Sequence, residues 1–234
     1  CNFFQAMGFD YFFVRDGNDF NEIADALEKV KNKNHPVVIH MCTVKGKGYQ
    51  FAEADKENWH YMEPFDVHTG KLRHEAAPVE TYEALTAAYL ADKMKKDPAI
   101  TAVTAGTPKV LGFGKELRKQ FPKQFVDVGV AEGHAVAMIS GIAKAGGKPV
   151  FGVSSSFLQR AYDQLLSDLA LNDSPAVILV FFAGIAGGSQ THMGVFDISL
   201  AANIPNIIYL APTCKEEYFS MLEWGLNQKE HPVI

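Results

Sequence analysis

Residues 125–153 read FVDVGVAEGHAVAMISGIAKAGGKPVFGV, and this stretch decides the fold. Phe125–Val128 is a short apolar run of strand type. A helix is predicted from Glu132 to Ala145, where Gly146-Gly147 is a stop signal, and Pro149–Val153 is a second apolar run. Strand, helix and strand with connections this short make a βαβ unit, which requires a parallel sheet. The alternation continues on both sides. A helix over Glu80–Lys95 precedes strand Ile100–Thr104, and a helix near Val110–Gln120 precedes Phe125–Val128. Helix Phe157–Leu171 leads to strand Ala176–Phe182, followed by a short helix near Asp197–Ala202, strand Ile207–Leu210 and helix Lys215–Asn227. The predicted fold class is α/β: an open parallel sheet with helices on both faces. The pattern does not fix the order of the strands.

A second βαβ unit stands upstream. Tyr11–Val14 is an apolar run closed by the turn Arg15-Asp16-Gly17-Asn18. From Asp19, Phe20, Ile23, Ala26, Leu27 and Val30 recur at helical spacing, and Val37–Met41 reads as a buried strand. Residues 45–78 lose periodicity and are rich in histidine and acidic residues, as in a functional or interdomain loop. The expected division is 1–45 as the end of one α/β domain, 46–78 as a linker, and 79–234 as a second domain cut short at its C-terminal end.

Composition narrows the function. Of 234 residues, 47% are hydrophobic and 21% charged, as in a folded domain. The net charge of −5 disfavours nucleic acid, whose binding draws on lysine and arginine to neutralise phosphates. Cys1, Cys42 and Cys214 are odd in number and far apart, which reads as free thiols in a reducing, cytoplasmic setting. The most apolar stretch, Ala176–Ala186, falls well short of the roughly 20 residues that span a bilayer. Both ends read as cut from a longer polypeptide. The histidines include no His-Glu-x-x-His, there is no Gly-x-Ser-x-Gly elbow, and no glycine run has phosphate-loop order.

In an open parallel sheet, ligands bind beyond the carboxyl ends of the strands. Sorting by that rule leaves four clusters. They are Ala131-Glu132-Gly133-His134, Ser154 to Arg160, the loop Ala183 to His192, and, in the linker, Lys45-Gly46-Lys47-Gly48-Tyr49 with Trp59-His60. Each also has an ordinary structural reading. A first-turn glutamate complements a helix dipole, a serine run caps a helix, and lysines form a solvated patch.

Four runs carry a resemblance. Val130-Ala131-Glu132-Gly133-His134-Ala135-Val136, Phe157-Leu158-Gln159-Arg160-Ala161-Tyr162-Asp163-Gln164, Thr191-His192-x-Gly-x-Phe196-Asp197 and Thr43-x-Lys45-Gly46-x-Gly48-Tyr49 resemble the 1-deoxy-D-xylulose-5-phosphate synthase family. That family is transketolase-like and depends on thiamine diphosphate. The similarity runs over nearly the whole chain, and the Phe-Leu-Gln-Arg-Ala-Tyr-Asp-Gln run is its most specific part. It implies that 1–45 ends a diphosphate-binding domain and that 79–234 is most of a pyrimidine-binding domain. Mg2+ and the diphosphate are then expected on a Gly-Asp-Gly…Asn motif N-terminal to this chain.

The resemblance also implies roles. Glu132 hydrogen-bonds the pyrimidine N1′ and helps the cofactor shed its thiazolium proton. Phe157 stacks on the pyrimidine, and Lys45 lies near the diphosphate. Arg160 reaches a substrate phosphate or carboxylate, a task for a bidentate guanidinium. His60 and His192 line the substrate channel, and Ser154 stands in the substrate pocket. The implied reaction joins a two-carbon unit from the keto acid pyruvate to an aldose phosphate such as glyceraldehyde 3-phosphate, in isoprenoid and thiamine precursor synthesis. The implied assembly is a homodimer with no nucleic-acid or membrane partner.

The chain departs from the family's usual pattern at four places. Gly133 replaces a glutamine, Ser154 a tyrosine, and Phe182 an arginine expected to hold the sugar phosphate, while Gly188-Ser189-Gln190 lacks the usual Asp-Gly. A guanidinium–phosphate contact is a strong one to lose. The expectation is therefore a thiamine-dependent transferase with an altered acceptor. The alternatives are a transketolase-like enzyme for another acceptor and a non-catalytic half-subunit.

Overall fold

The computed structural model describes residues 2–74, 79–184 and 194–234, which form two compact units divided at Pro78 and Val79. In the first unit a short helix α1 (Phe3–Ala6) precedes β1 (Asp10–Val14), α2 (Phe20–Val30) and β2 (Val37–Met41). The strands pair in parallel from Asp10↔Val37 to Val14↔Met41, so the upstream βαβ unit forms as the sequence predicts. Asp19 caps α2 by accepting hydrogen bonds from the backbone of Asn21 and Glu22. The described residues 46–74 hold more order than the lost periodicity suggests. They contain α3 (Gln50–Ala54) and a 3₁₀ turn at Asn58–His60. Around these, Tyr49, Phe51, Trp59 and Phe65 pack ring against ring, with Trp59 and Phe65 centroids 4.8 Å apart. Aromatic contacts among neighbours in sequence need no period, which is why a periodicity reading passes over them.

The second unit is a four-stranded parallel sheet in the order β4-β3-β5-β6. In chain order its elements are α4 (Tyr82–Lys96), β3 (Ile100–Thr104), α5 (Lys115–Gln120), β4 (Phe125–Asp127), α6 (Glu132–Lys144) and β5 (Lys148–Ser154). A broken helical segment follows: α7 (Ser155–Leu158), a 3₁₀ turn (Gln159–Ala161), α8 (Tyr162–Gln164) and a π-helical stretch (Leu165–Ala170). Then come β6 (Val177–Phe181), α9 (Asp197–Ala202) and α10 (Lys215–Asn227). Beyond β6, Val233 bridges in parallel to both Val177 and Ile208, so the predicted strand at 207–210 is reduced to a bridge.

Strand side chains alternate between two cores, as period-two geometry demands. Val103, Phe151, Val153 and Ile178 meet Val136 and Ile139 of α6 on one face. Ile100, Ala102, Val150 and Val177 meet Leu90 of α4 and Leu222 of α10 on the other. The helix predicted near Val110–Gln120 starts late, because Leu111 and Phe113 are fully buried plugs in a turn that Gly112 makes at φ +75°. A side chain at 112 would strike the backbone carbonyl of Glu83, so glycine there is required on two counts.

Candidate active site

The parallel order puts the carboxyl ends of β4, β3, β5 and β6 along one edge. Asp127, ending β4, accepts hydrogen bonds from the backbone of Gly106 (2.7 Å) and Gly129 (3.0 Å) and so ties the turns after β3 and β4 together. That turn delivers Glu132 as the first residue of α6, where a carboxylate is favoured by the helix dipole. Its side chain is only 5% exposed. A buried carboxylate demands donors, and the partner here is Arg160, whose Nη1 lies 3.3 Å from Oε1. Arg160 is half-exposed, and its guanidinium carbon sits over the Phe157 ring, 5.1 Å from the centroid. Phe157 is itself half-buried against the core beneath α6. Glu132, Phe157 and Arg160 are thus in one place, although 28 residues of chain separate the acid from the arginine.

Further features mark the same edge. Ser154 is the buried last residue of β5, level with Phe181 of β6. Ser155 donates to Asp197, the first residue of α9, and the other carboxylate oxygen of Asp197 accepts from the Gly184 backbone. With the Gly194 N–H on the Phe182 carbonyl (3.0 Å), these bonds hold Phe182, Gly184 and Gly194 close to the start of α9. Burial first, and then the Asp197 charge, push the Tyr209 phenol above its ordinary pKa. Phe182 is exposed and held at φ +59°, an uncommon conformation for a bulky residue. Thr104, ending β3, and Ser156 of α7 each keep a buried hydroxyl without a hydrogen-bond partner. Orphaned buried hydroxyls are rare in a closed core, and their position at a strand-end edge suits a polar ligand. A Cβ at Gly133 would lie 2.9 Å from the Gln164 amide oxygen, so a side chain there requires the end of the Gln164 side chain to move.

The remaining predicted residues are located as follows. In the first unit, Lys45 Nζ lies 2.6 Å from His60 Nδ1. An ammonium only donates, so Nδ1 is the acceptor and the ring proton sits on Nε2. His192 lies outside the described residues. The bonds of Asp197 and Asp127 have little sequence signal: Asp127 is marked only as a strand-end acid, and Asp197 as a first-turn acid that ends the Thr191-His192-x-Gly-x-Phe196-Asp197 run. Among the described residues, no group of three or more His, Cys, Asp or Glu is placed to hold a metal ion, and no helix is long and apolar enough to cross a membrane.

A doubly covered parallel sheet with a buried acid at the carboxyl ends of its strands is a ligand-binding α/β domain by architecture. The chain belongs to the transketolase pyrimidine-binding-domain family, whose model matches residues 78–234. The model described as 1-deoxy-D-xylulose-5-phosphate synthase matches residues 1–43. Among curated relatives, the 1-deoxy-D-xylulose-5-phosphate synthase of Clostridium kluyveri is 39% identical over 227 residues, which is 97% of this chain and 36% of that protein. The Clostridium tetani synthase is 40% identical over 231 residues, 98% of this chain and 37% of that protein. The chain thus spans a little over a third of the length of these relatives. Among solved structures, the transketolase of Pichia stipitis in complex with sedoheptulose 7-phosphate has a TM-score of 0.58 at 18% identity, covering 99% of this chain and 47% of that one. A split-gene transketolase has a TM-score of 0.55 at 20% identity, over 65% of this chain and 48% of that one. At such identities the likeness is one of fold.

Proposed function

We propose that this chain is part of a thiamine diphosphate-dependent transferase of the 1-deoxy-D-xylulose-5-phosphate synthase type, with Glu132, Phe157 and Arg160 at its reaction centre. The observation that carries the proposal is the buried Glu132 carboxylate at the sheet's carboxyl edge, beside an aromatic face and a guanidinium. These residues fit an aminopyrimidine ring. A carboxylate offers about four acceptor sites, and the Arg160 contact at 3.3 Å is the hydrogen bond the structure shows to it.

Thiamine diphosphate supplies the carbon nucleophile and electron sink of the reaction when it is bound. Glu132 accepts a hydrogen bond at the ring N1′ and holds a proton there, and burial keeps water from competing for that carboxylate. Phe157 fixes the ring plane by stacking. Arg160 orients an anionic substrate, first the carboxylate of a 2-keto acid such as pyruvate. We assign Lys45 to the cofactor diphosphate, His60 and His192 to proton exchange at the substrate carbonyl, and Ser154 to the substrate pocket wall. Mg2+ is proposed to accompany the diphosphate on residues outside this chain, in a cytoplasmic homodimer.

A second reading concerns the acceptor. Phe182 places an exposed apolar ring at the end of β6, where the resemblance implies a phosphate-binding arginine. We therefore propose an acceptor aldehyde less dependent on a phosphate than glyceraldehyde 3-phosphate. The test is steady-state turnover of the full-length polypeptide with pyruvate and either glyceraldehyde 3-phosphate or unphosphorylated glyceraldehyde. The altered acceptor predicts comparable kcat/KM for the two. A preference of a hundredfold or more for the phosphorylated aldehyde, the order of a lost charge-assisted contact pair, refutes it. Failure to consume pyruvate with any aldehyde favours the half-subunit reading.

A further inference from the structure

Among the described residues, the Arg160 guanidinium makes two contacts of the kind that the proposed cofactor ring would make. Its Nη1 donates to the Glu132 carboxylate, and its guanidinium plane lies by the Phe157 ring. A guanidinium is flat, delocalised and rich in N–H donors, so it presents to an acid and an aromatic face much what a protonated aminopyrimidine presents. The physical need is clear from burial. A carboxylate 5% exposed and left alone carries a heavy desolvation cost, which a cation on a half-exposed, movable side chain offsets.

We infer that Arg160 is a resident stand-in for the cofactor's pyrimidine, and that cofactor binding hands the guanidinium over from Glu132 to the anionic substrate. The inference rests on Glu132 and Phe157 forming the ring site. It goes further in assigning an order of events. While Arg160 holds Glu132, its charge is spent and the ring site is filled. When the pyrimidine takes the carboxylate, the same guanidinium is released beside it, ready for a keto-acid carboxylate. Substrate anion and Glu132 compete for one cation, so the anion binds well only after the cofactor. The exchange breaks no covalent bond and needs no proton transfer.

The experiment measures thiamine diphosphate binding to the full-length polypeptide by calorimetry with Mg2+ and without substrate. With Arg160→Gln, the competing ion pair is gone, and the apparent Kd should tighten by about two- to fivefold, the scale of a half-exposed pair. The cofactor-free protein should melt lower, and the rise in Tm on adding cofactor should be larger than in the parent. The KM for pyruvate should rise by about tenfold or more, because the anion has lost its charged partner. Arg160→Lys keeps the charge but not the flat donor face and should fall between the two, which guards against a variant that fails to fold. In a Glu132→Ala background, Arg160→Gln should no longer tighten cofactor binding. If Glu132→Ala binds the cofactor as well as the parent does, the ring-site reading is wrong. If Glu132→Ala binds it worse but Arg160→Gln binds it no tighter than the parent, the ring site stands and the stand-in is refuted.

Discussion

Replacing Glu132 with alanine should abolish activity while leaving the protein folded, and the structure supplies the magnitudes. Three terms oppose the change. Loss of a first-turn acid at α6 costs about 0.3–1 kcal/mol. Loss of the ion pair to Arg160 costs about 0–1 kcal/mol, because the arginine is half-exposed and its nitrogen stands 3.3 Å away. Removing one buried methylene costs about 0.8 kcal/mol. Against these stands the release of a buried charge, whose desolvation is worth several kcal/mol before compensation. The net change should lie within about 2 kcal/mol of zero. Taken from even about 5 kcal/mol of starting stability, that leaves about 99% of the molecules folded. A carboxylate that takes part in proton transfer is worth about 10²–10⁴ in rate. Urea unfolding and turnover of the full-length polypeptide, measured side by side, therefore separate the roles. Turnover within about tenfold of the parent would refute the assignment. So would a stability loss above about 3 kcal/mol that accounts for the lost activity, since Glu132 would then be a structural acid.

Three other outcomes are expected. Gly112→Ala places a Cβ against the Glu83 carbonyl at φ +75° and should cost about 2–4 kcal/mol, read as a lower urea midpoint. Glu223 is held down to about 2 from 4.5, first by the Lys93 ammonium and then by the Tyr89 hydroxyl. Its stabilising contribution is thus complete above pH 4.5 and disappears as pH falls towards 2. Solvent screening limits it to about 1 kcal/mol, and stability curves of Glu223→Gln should lack that acid limb. Phe182→Arg should lower the KM for a phosphorylated aldehyde by about tenfold or more and leave that for its unphosphorylated analogue unchanged; equal effects on both would argue that residue 182 does not face the acceptor.

Much of the candidate site was visible in sequence because strand-end position is a local property. Glu132 follows a predicted strand and opens a helix, and Ser154 ends another strand, so both fall at the ligand edge before any coordinates are known. The pairing of Arg160 with Glu132 had no such signal. It depends on the path of residues 155–170, where α, 3₁₀, α and π turns succeed one another. Each change of turn rotates the next side chain by an amount that no fixed helical period describes. A regular helix over Phe157–Leu171 would also set Arg160 beside Phe157, three residues on; what the sequence does not supply is the packing of that turn against α6, which brings the arginine to Glu132.

Apolar periodicity by itself determined that this chain forms parallel βαβ units, because alternation at periods of two and 3.6 is set by backbone geometry within a few residues. It determined neither which strands are neighbours nor where long side chains end. The order β4-β3-β5-β6 brings β5 beside β3 across the intervening β4, and Asp197 reaches Ser155 over 42 residues. Those are long-range choices, made when two apolar cores close on opposite faces of one sheet and the polar side chains left at its edge find what partners the packing allows.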